Sequence, residues 1–300
     1  MSGTDLITNA AQSRGRIHEA GSEPLCLADD ALYVLGGSVP VDGRISWYAD
    51  EHLGRYLPFN SYLLKEEHNV LLLEAGVPAT FERLAGQVRR ALGSRPVLPR
   101  LAITRNEPDC VANIPLLVRQ FGLNTVHSPG LMNTLQFFPA DDAGPESSFN
   151  HGSTEIQMLN FGVSCEPAVA GGELRISDER VLDVIAVPLR VLPTVWYYDR
   201  ATRTMFCSDS FSDETAVTAD ERAIAAVEPT DILVARFQKH VLGKFDWLPR
   251  SDLTPVIADL ERIFARYDID TLAPSRGRVI KGRDAVEAKI AAVMAALRLF

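Results

Sequence analysis

Only four cysteines occur in the 300 residues. Cys26, Cys110, Cys165 and Cys207 stand too far apart for any C-x-x-C pair. That spacing argues against a disulfide scaffold and suits reduced thiols, so a cytoplasmic protein is expected. Long apolar runs are also missing, and none reaches the length of a membrane span. The opening MSGTDLITNAAQSRGRIHEAG has no apolar stretch and does not read as a signal peptide. An excess of positive charge is absent too. The formal net charge is −9, which argues against nucleic acid as the main partner. No internal repeat or low-complexity segment interrupts the chain.

What is present is an ordinary globular composition. Apolar residues make up 46% of the chain, enough to bury a full core. The length allows one large domain or two small ones. Residues 1–24 are polar and aperiodic and read as a flexible arm. Residues 25–300 read as a single domain.

The first half alternates strand and helix patterns. Ala31–Leu35, Ser61–Leu64, Asn69–Glu74 and Val97–Thr104 are short apolar runs of strand type. Thr80–Leu92 carries apolar residues at Phe81, Leu84, Val88 and Leu92, the spacing of an amphipathic helix. Asn113–Phe121 reads as a second helix. The stretch from Ser128 to Gly172 is rich in Gly, Pro, Asp, Ser and Asn. It predicts long loops with short strands such as Glu155–Leu159; such loops are often functional, and a surface excursion is the equal alternative. Arg180–Val187, Val195–Tyr198 and Thr204–Cys207 follow as strands, the last two as a hairpin around Asp199–Thr202. Ala219–Val227 and Thr230–Leu242 read as helices broken at Pro229. Leu253–Tyr267 and Asp284–Leu299 are amphipathic helices flanking a final strand at Ile269–Ala273. The pattern alone supports an α/β fold.

Several fragments carry polar chemistry. Trp47 and His52 precede Pro58-Phe59-Asn60-Ser61-Tyr62-Leu63-Leu64. Leu72-Leu73-Glu74-Ala75-Gly76 ends a strand. Arg105-Asn106-Glu107-Pro108-Asp109-Cys110 follows another. Val191 and Pro193, Cys207-Ser208-Asp209-Ser210-Phe211 and Pro274-Ser275-Arg276-Gly277 come later. In this order, from about Leu25 to Arg283, they resemble the metallo-β-lactamase superfamily, most closely its flavodiiron branch. The motifs there run H-x-E-x-D-H, H-x-P, a bridging aspartate and P-S-H-G. The resemblance implies a four-layer αββα sandwich with a dimetal site at 105, 107, 109, 110, 191, 209 and 276. It also implies a head-to-tail homodimer.

Four of those positions would be histidines, and this chain has Arg105, Cys110, Val191 and Arg276 instead. Every carboxylate position survives, as Glu107, Asp109 and Asp209. His52 survives where the family has a histidine lying over the site. The implied site is therefore degenerate. A dimetal cluster holds carboxylates together because the cations offset their charge. Without metal the carboxylates repel and their pKa values rise. Arginine is always charged, forks onto carboxylates, and has no lone pair to give a metal. Arg105 and Arg276 would set two positive charges against three negative ones.

These readings predict a metal-independent pocket, braced by arginine, that binds or transforms a small anionic molecule. His52, Cys110, Glu107, Asp109 and Asp209 are the candidate catalytic groups, with Arg105 and Arg276 as binding groups. No metal is favoured. The alternative is an oxidoreductase or hydrolase holding iron, zinc or manganese through Glu107, Asp109, Cys110 and Asp209. A non-catalytic scaffold is a third reading. Cys110 reads either as a reactive thiolate or as a small buried filler. His52 is a general base, an anchor or a structural histidine. His127 and His151 lie by the long loop, within reach of the pocket or facing solvent. Arg105 and Arg276 either grip a ligand anion or pair internally. No flavodoxin-like module or Gly-rich phosphate loop follows Gly277, so no flavin is expected.

Overall fold

The computed structural model describes residues 23–43, 52–94, 98–130, 134, 163–190 and 192–300. The expected arm, Trp47, His151, Val191 and the strand at Glu155–Leu159 lie outside them, the arm but for its last two residues.

Two seven-stranded sheets face each other. The first runs in chain order: β1 (Leu25–Ala28), β2 (Leu32–Pro40), β3 (Tyr56–Glu66), β4 (Asn69–Leu73), β5 (Arg100–Ala102), β6 (Thr125–Pro129) and β7 (Ser164–Ala168). Strands β1 to β4 pair antiparallel, and β4 to β7 pair in parallel. The second sheet contains β8 (Glu173–Arg175), β9 (Val181–Ala186), β10 (Val195–Asp199), β11 (Thr204–Phe206), β12 (Ala223–Ile224), β13 (Thr271–Ala273) and β14 (Val279–Lys281). Its order is β12-β14-β13-β11-β10-β9-β8.

Period-two alternation sorts the side chains into layers. Tyr62, Leu64, Leu71 and Leu73 point inward against Leu182, Val184, Tyr197 and Phe206 of the other sheet. Leu63, Leu72 and Leu101 point outward against the helices α1 (Phe81–Leu92) and α3 (Ile114–Phe121), which flank the one-turn α2 (Pro108–Val111). On the far side, Trp196, Tyr198, Met205 and Leu272 pack on α4 (Thr230–Lys244), α5 (Thr254–Arg266) and α6 (Arg283–Leu297). The result is the expected αββα sandwich. Helix α3 stops at Gly122, whose left-handed φ of 69° accepts the last turn.

Two buried tyrosines tie the sheets together. Tyr62 donates to Pro274 O at 2.6 Å, and Tyr197 donates to Ile103 O at 3.1 Å. The backbones also meet at one end: Asn60 N donates to Ser275 O at 2.8 Å, and Val195 N to Thr104 O at 2.9 Å.

One expectation is corrected. Ala219–Val227 is not helical; Ala223 and Ile224 form the edge strand β12, parallel to β14. The run is rich in helix formers, but Arg222 is drawn inward to Asn60 Oδ1 at 3.0 Å. That tertiary contact overrides local propensity. Short strands are expected between Ser128 and Gly172, and β7 is one, extending the parallel half of the first sheet beside β6. Its Ser-Cys-Glu-Pro-Ala sequence carries no apolar run because it lies at a partly exposed edge.

Candidate functional site

The polar fragments converge where β4, β5, β11 and β13 end. In α/β proteins ligands gather outside such strand ends. Glu74 follows β4. Thr104, Arg105 and Glu107 follow β5, and Asp109 and Cys110 lie on α2. Ser208 and Asp209 follow β11, and Ser275 and Arg276 follow β13. Glu74 and Ser208 hold left-handed backbone, with φ of 65° and 55°. Such non-glycine residues persist only where their surroundings impose them. The loop bearing Arg276 is clamped by Asn60, whose Nδ2 donates to Pro274 O at 2.9 Å and Gly277 O at 2.7 Å. Gly277 has φ 87°, and a Cβ there would come within 3.0 Å of Glu214 O. Only glycine fits this turn.

Arg105 is buried at the centre of the cluster. Its Nε donates to Glu107 Oε2 at 2.7 Å, and its Nη2 donates to Asp109 Oδ2. Its Nη1 donates to Ser208 Oγ at 2.7 Å and Ser275 Oγ at 3.0 Å, and lies 3.6 Å from Asp209 Oδ1. Arg276 reaches the same acids from the other sheet. Its Nε donates to Asp109 Oδ2 at 2.6 Å, and its Nη2 to Glu107 Oε2 at 3.4 Å.

Sequence reasoning missed a third cation. Lys244, in the last turn of α4, donates to Asp209 Oδ2 at 2.9 Å, Asp209 O at 2.8 Å and Ser212 Oγ at 2.9 Å. Ser212 Oγ in turn lies 2.9 Å from His240 Nε2. Three carboxylates therefore meet three cations, one more than the motifs alone indicated. No local pattern marks Lys244; it is one basic residue at a helix end, where lysine is common.

The ionisation states follow from this pairing. Burial would raise the Asp209 carboxyl, but Lys244, Arg105 and Arg276 hold it well below the usual range. Burial lowers the Lys244 amine, against the pull of Asp209. Burial also opposes the charge on Arg105, yet Cys110, Asp209 and Asp109 beside it raise its pKa well above normal. Behind the cluster, burial pushes Glu74 up to about 7, against Arg105 and Thr104. Thr104 Oγ1 donates to Glu74 Oε1 and lies 2.8 Å from Ser208 Oγ, linking Glu74 to Arg105.

A cavity of about 350 Å³ opens over the cluster, with Arg105, Glu107, Asp209, Lys244 and Arg276 on its polar side. Leu189, Leu192, Val241 and Phe245 form its apolar side. Asp109 does not line it, being held behind by both arginines. Cys110 is fully buried in the core between the first sheet and its helices, and burial pushes its thiol well up. His52 is buried with Nδ1 2.8 Å from Thr215 Oγ1, and it does not line the cavity. His127 is buried on β6, 3.3 Å from Glu166, and burial lowers its pKa. Thus four of the predicted residues, Arg105, Glu107, Asp209 and Arg276, face the cavity together.

The flavodiiron-type site implies a pair of metal ions. The side chains here do not fit that group. Arg105 and Arg276 point guanidinium donors at the carboxylate oxygens that would face the metals, and guanidinium has no lone pair to offer. Among the described residues no three His, Cys, Asp or Glu side chains are grouped to hold a metal ion.

The strand-end site and the two covered sheets define a metallo-β-lactamase-like sandwich, the fold of flavodiiron cores. Its solved likenesses include the rubredoxin oxygen:oxidoreductase of Desulfovibrio gigas, at TM-score 0.60 and 11% identity, covering 92% of this chain and 62% of that one. A metal-soaked flavodiiron core from Synechocystis matches at TM-score 0.61 and 17% identity, covering 92% of this chain and 61% of that one. A fragment of a diflavin flavoprotein from Nostoc matches at TM-score 0.61 and 14% identity, covering 92% and 96%. The chain thus spans about three fifths of the first two proteins. No protein-family model and no curated protein matches the sequence. Among the described residues no helix is long and apolar enough to cross a membrane.

Proposed function

We propose that this protein binds a small anionic molecule in the cavity above Arg105 without the help of metal. The observation that carries this reading is the pairing of Arg105, Arg276 and Lys244 with Glu107, Asp109 and Asp209. The three side-chain cations offset the carboxylates as metal ions would, so the cluster stays together on its own. The oxygen reduction named for the Desulfovibrio protein is not carried over. Four positions that the resemblance assigns to histidine are Arg105, Cys110, Val191 and Arg276 here, and two of these repel a cation.

The polar side of the cavity carries fixed donors, and its other side is lined by Leu189, Leu192, Val241 and Phe245. That combination suits recognition, and it also suits proton transfer by a shifted group. The test is metal content by plasma mass spectrometry on untagged protein prepared without chelator. The expected result is metal well below one per chain, with a melt unmoved by iron, zinc or manganese. One metal per chain would overturn the reading and make Glu107, Asp109 and Asp209 ligands to test singly.

A further inference from the structure

Arg190 differs from every other cation around the cavity. Arg105, Arg276 and Lys244 each hold carboxylates. Among the described residues no carboxylate pairs with Arg190; its recorded bond is Nη1 to Thr194 O at 3.0 Å. That bond anchors one side of the guanidinium, and among the described residues no group accepts from the Nε–Nη2 edge. The edge of a guanidinium presents two parallel N–H groups, the spacing of the two oxygens of a carboxylate.

Arg190 stands at the apolar side of a cavity whose other side carries the charged cluster. It lines the cavity together with Leu189, Leu192, Val241 and Phe245. A second depression, of about 610 Å³, shares Arg190, Leu192 and Thr194 with the first and is walled by Pro129, Val169 and Pro193. Leu192 is 42% exposed and Val169 is 64% exposed. Exposed apolar side chains beside a cation that no described carboxylate holds form a surface that an amphipathic anion would match. The floor of the cavity adds no net charge, because its three cations and three carboxylates offset one another. The other three cations of the cavity are already held by carboxylates, so Arg190 is matched to a single negative charge.

We propose that the cavity takes an amphipathic monocarboxylate, its head on the Nε–Nη2 edge of Arg190 and its apolar body against Leu189, Leu192, Val241 and Phe245. This rests on the reading of the cavity as a metal-independent anion site and names the class of anion. Inorganic phosphate or a small dicarboxylate fits less well, since neither covers the apolar side.

The experiment is isothermal titration calorimetry on the full chain with acetate, butyrate, hexanoate, octanoate and 3-phenylpropionate. Inorganic phosphate, succinate and octylammonium serve as comparison probes. Affinity is expected to rise roughly fourfold per added methylene that is buried. Arg190→Ala is expected to weaken octanoate at least tenfold, and Leu192→Asp to flatten the dependence on length. Arg190 and Leu192 are exposed, so both variants are expected to fold; an unchanged melt checks this. Octylammonium binding as well as octanoate, or Arg190→Ala binding octanoate like the parent, would overturn the proposal. Saturable binding of phosphate or succinate with a flat length series would also overturn it, while the anion-site reading stands. No saturable binding of any anion would remove both.

Discussion

Arg276 Nε lies 2.6 Å from Asp109 Oδ2, although 167 positions separate the two residues in the chain. The contact joins the loop after β13 to the helical turn after β5, and so joins one sheet to the other. It is one edge of a closed pattern in which Asp109 and Glu107 are each held by both Arg105 and Arg276.

Removing one partner should be costly. Arg276→Ala leaves the largely buried Asp109 side chain with part of its pairing gone. It is expected to destabilise by about 3 kcal/mol, in the range for a broken buried pair. Arg262→Ala, at a surface pair with Asp259, should cost under about 1 kcal/mol. Urea unfolding of the two variants checks the contrast. An Arg276→Ala midpoint no lower than that of Arg262→Ala would sink the brace.

Lys244→Met should destabilise most near neutral pH. The folded Asp209 pKa is depressed, so its stabilising contribution is present above the ordinary value of 3.8 and fades as pH falls through the folded value. The gap between parent and variant should therefore narrow as acid is added below about pH 4. Urea midpoints at neutral and at strongly acid pH read this directly. A gap that widens in acid would contradict the pairing.

Glu74 acts with the opposite sign. Its folded carboxyl titrates near 7, against an ordinary 4.5. Between these values the folded state keeps a proton that the unfolded state has released, so stability falls as pH rises and then levels off. The loss is on the order of 3 kcal/mol. Glu74→Gln should remove that slope while leaving Thr104 a carbonyl acceptor. Stability profiles from pH 4 to pH 8 that fall equally in both proteins would exclude Glu74 as the source.

Asn60→Ala should loosen the Arg276 loop. Asn60 donates to Pro274 O and Gly277 O and accepts from Arg222 Nη1, all in a buried setting. Loss of these bonds should cost about 3 kcal/mol. It should also speed hydrogen exchange at the Gly277 amide, which donates to Pro58 O at 2.9 Å. Unchanged exchange there would show that Asn60 does not hold the loop.

Much of the architecture was legible because it is written in local periods. Alternation along Tyr62, Leu63 and Leu64, and three-to-four spacing along Phe81, Leu84 and Val88, are properties of neighbouring residues. The ordered motifs around Glu107, Asp209 and Arg276 added the sandwich and the convergence of those three residues on one site. Edge elements were harder. β12 was read as helix because Ala and Glu favour helices, whereas burial of Arg222 beside Asn60 decides its conformation.

The sequence by itself determined the layers, the carboxylates and the arginines that face them. Only the tertiary structure decided that Lys244 completes the charge balance, that Cys110 packs into the core, and that no carboxylate among the described residues holds Arg190. Lys244 stands 35 residues from Asp209, on a helix outside the second sheet. The reason is physical: ion pairs and burial depend on distance through space, and nothing in the residues beside Lys244, Cys110 or Arg190 encodes which groups the fold will bring to them.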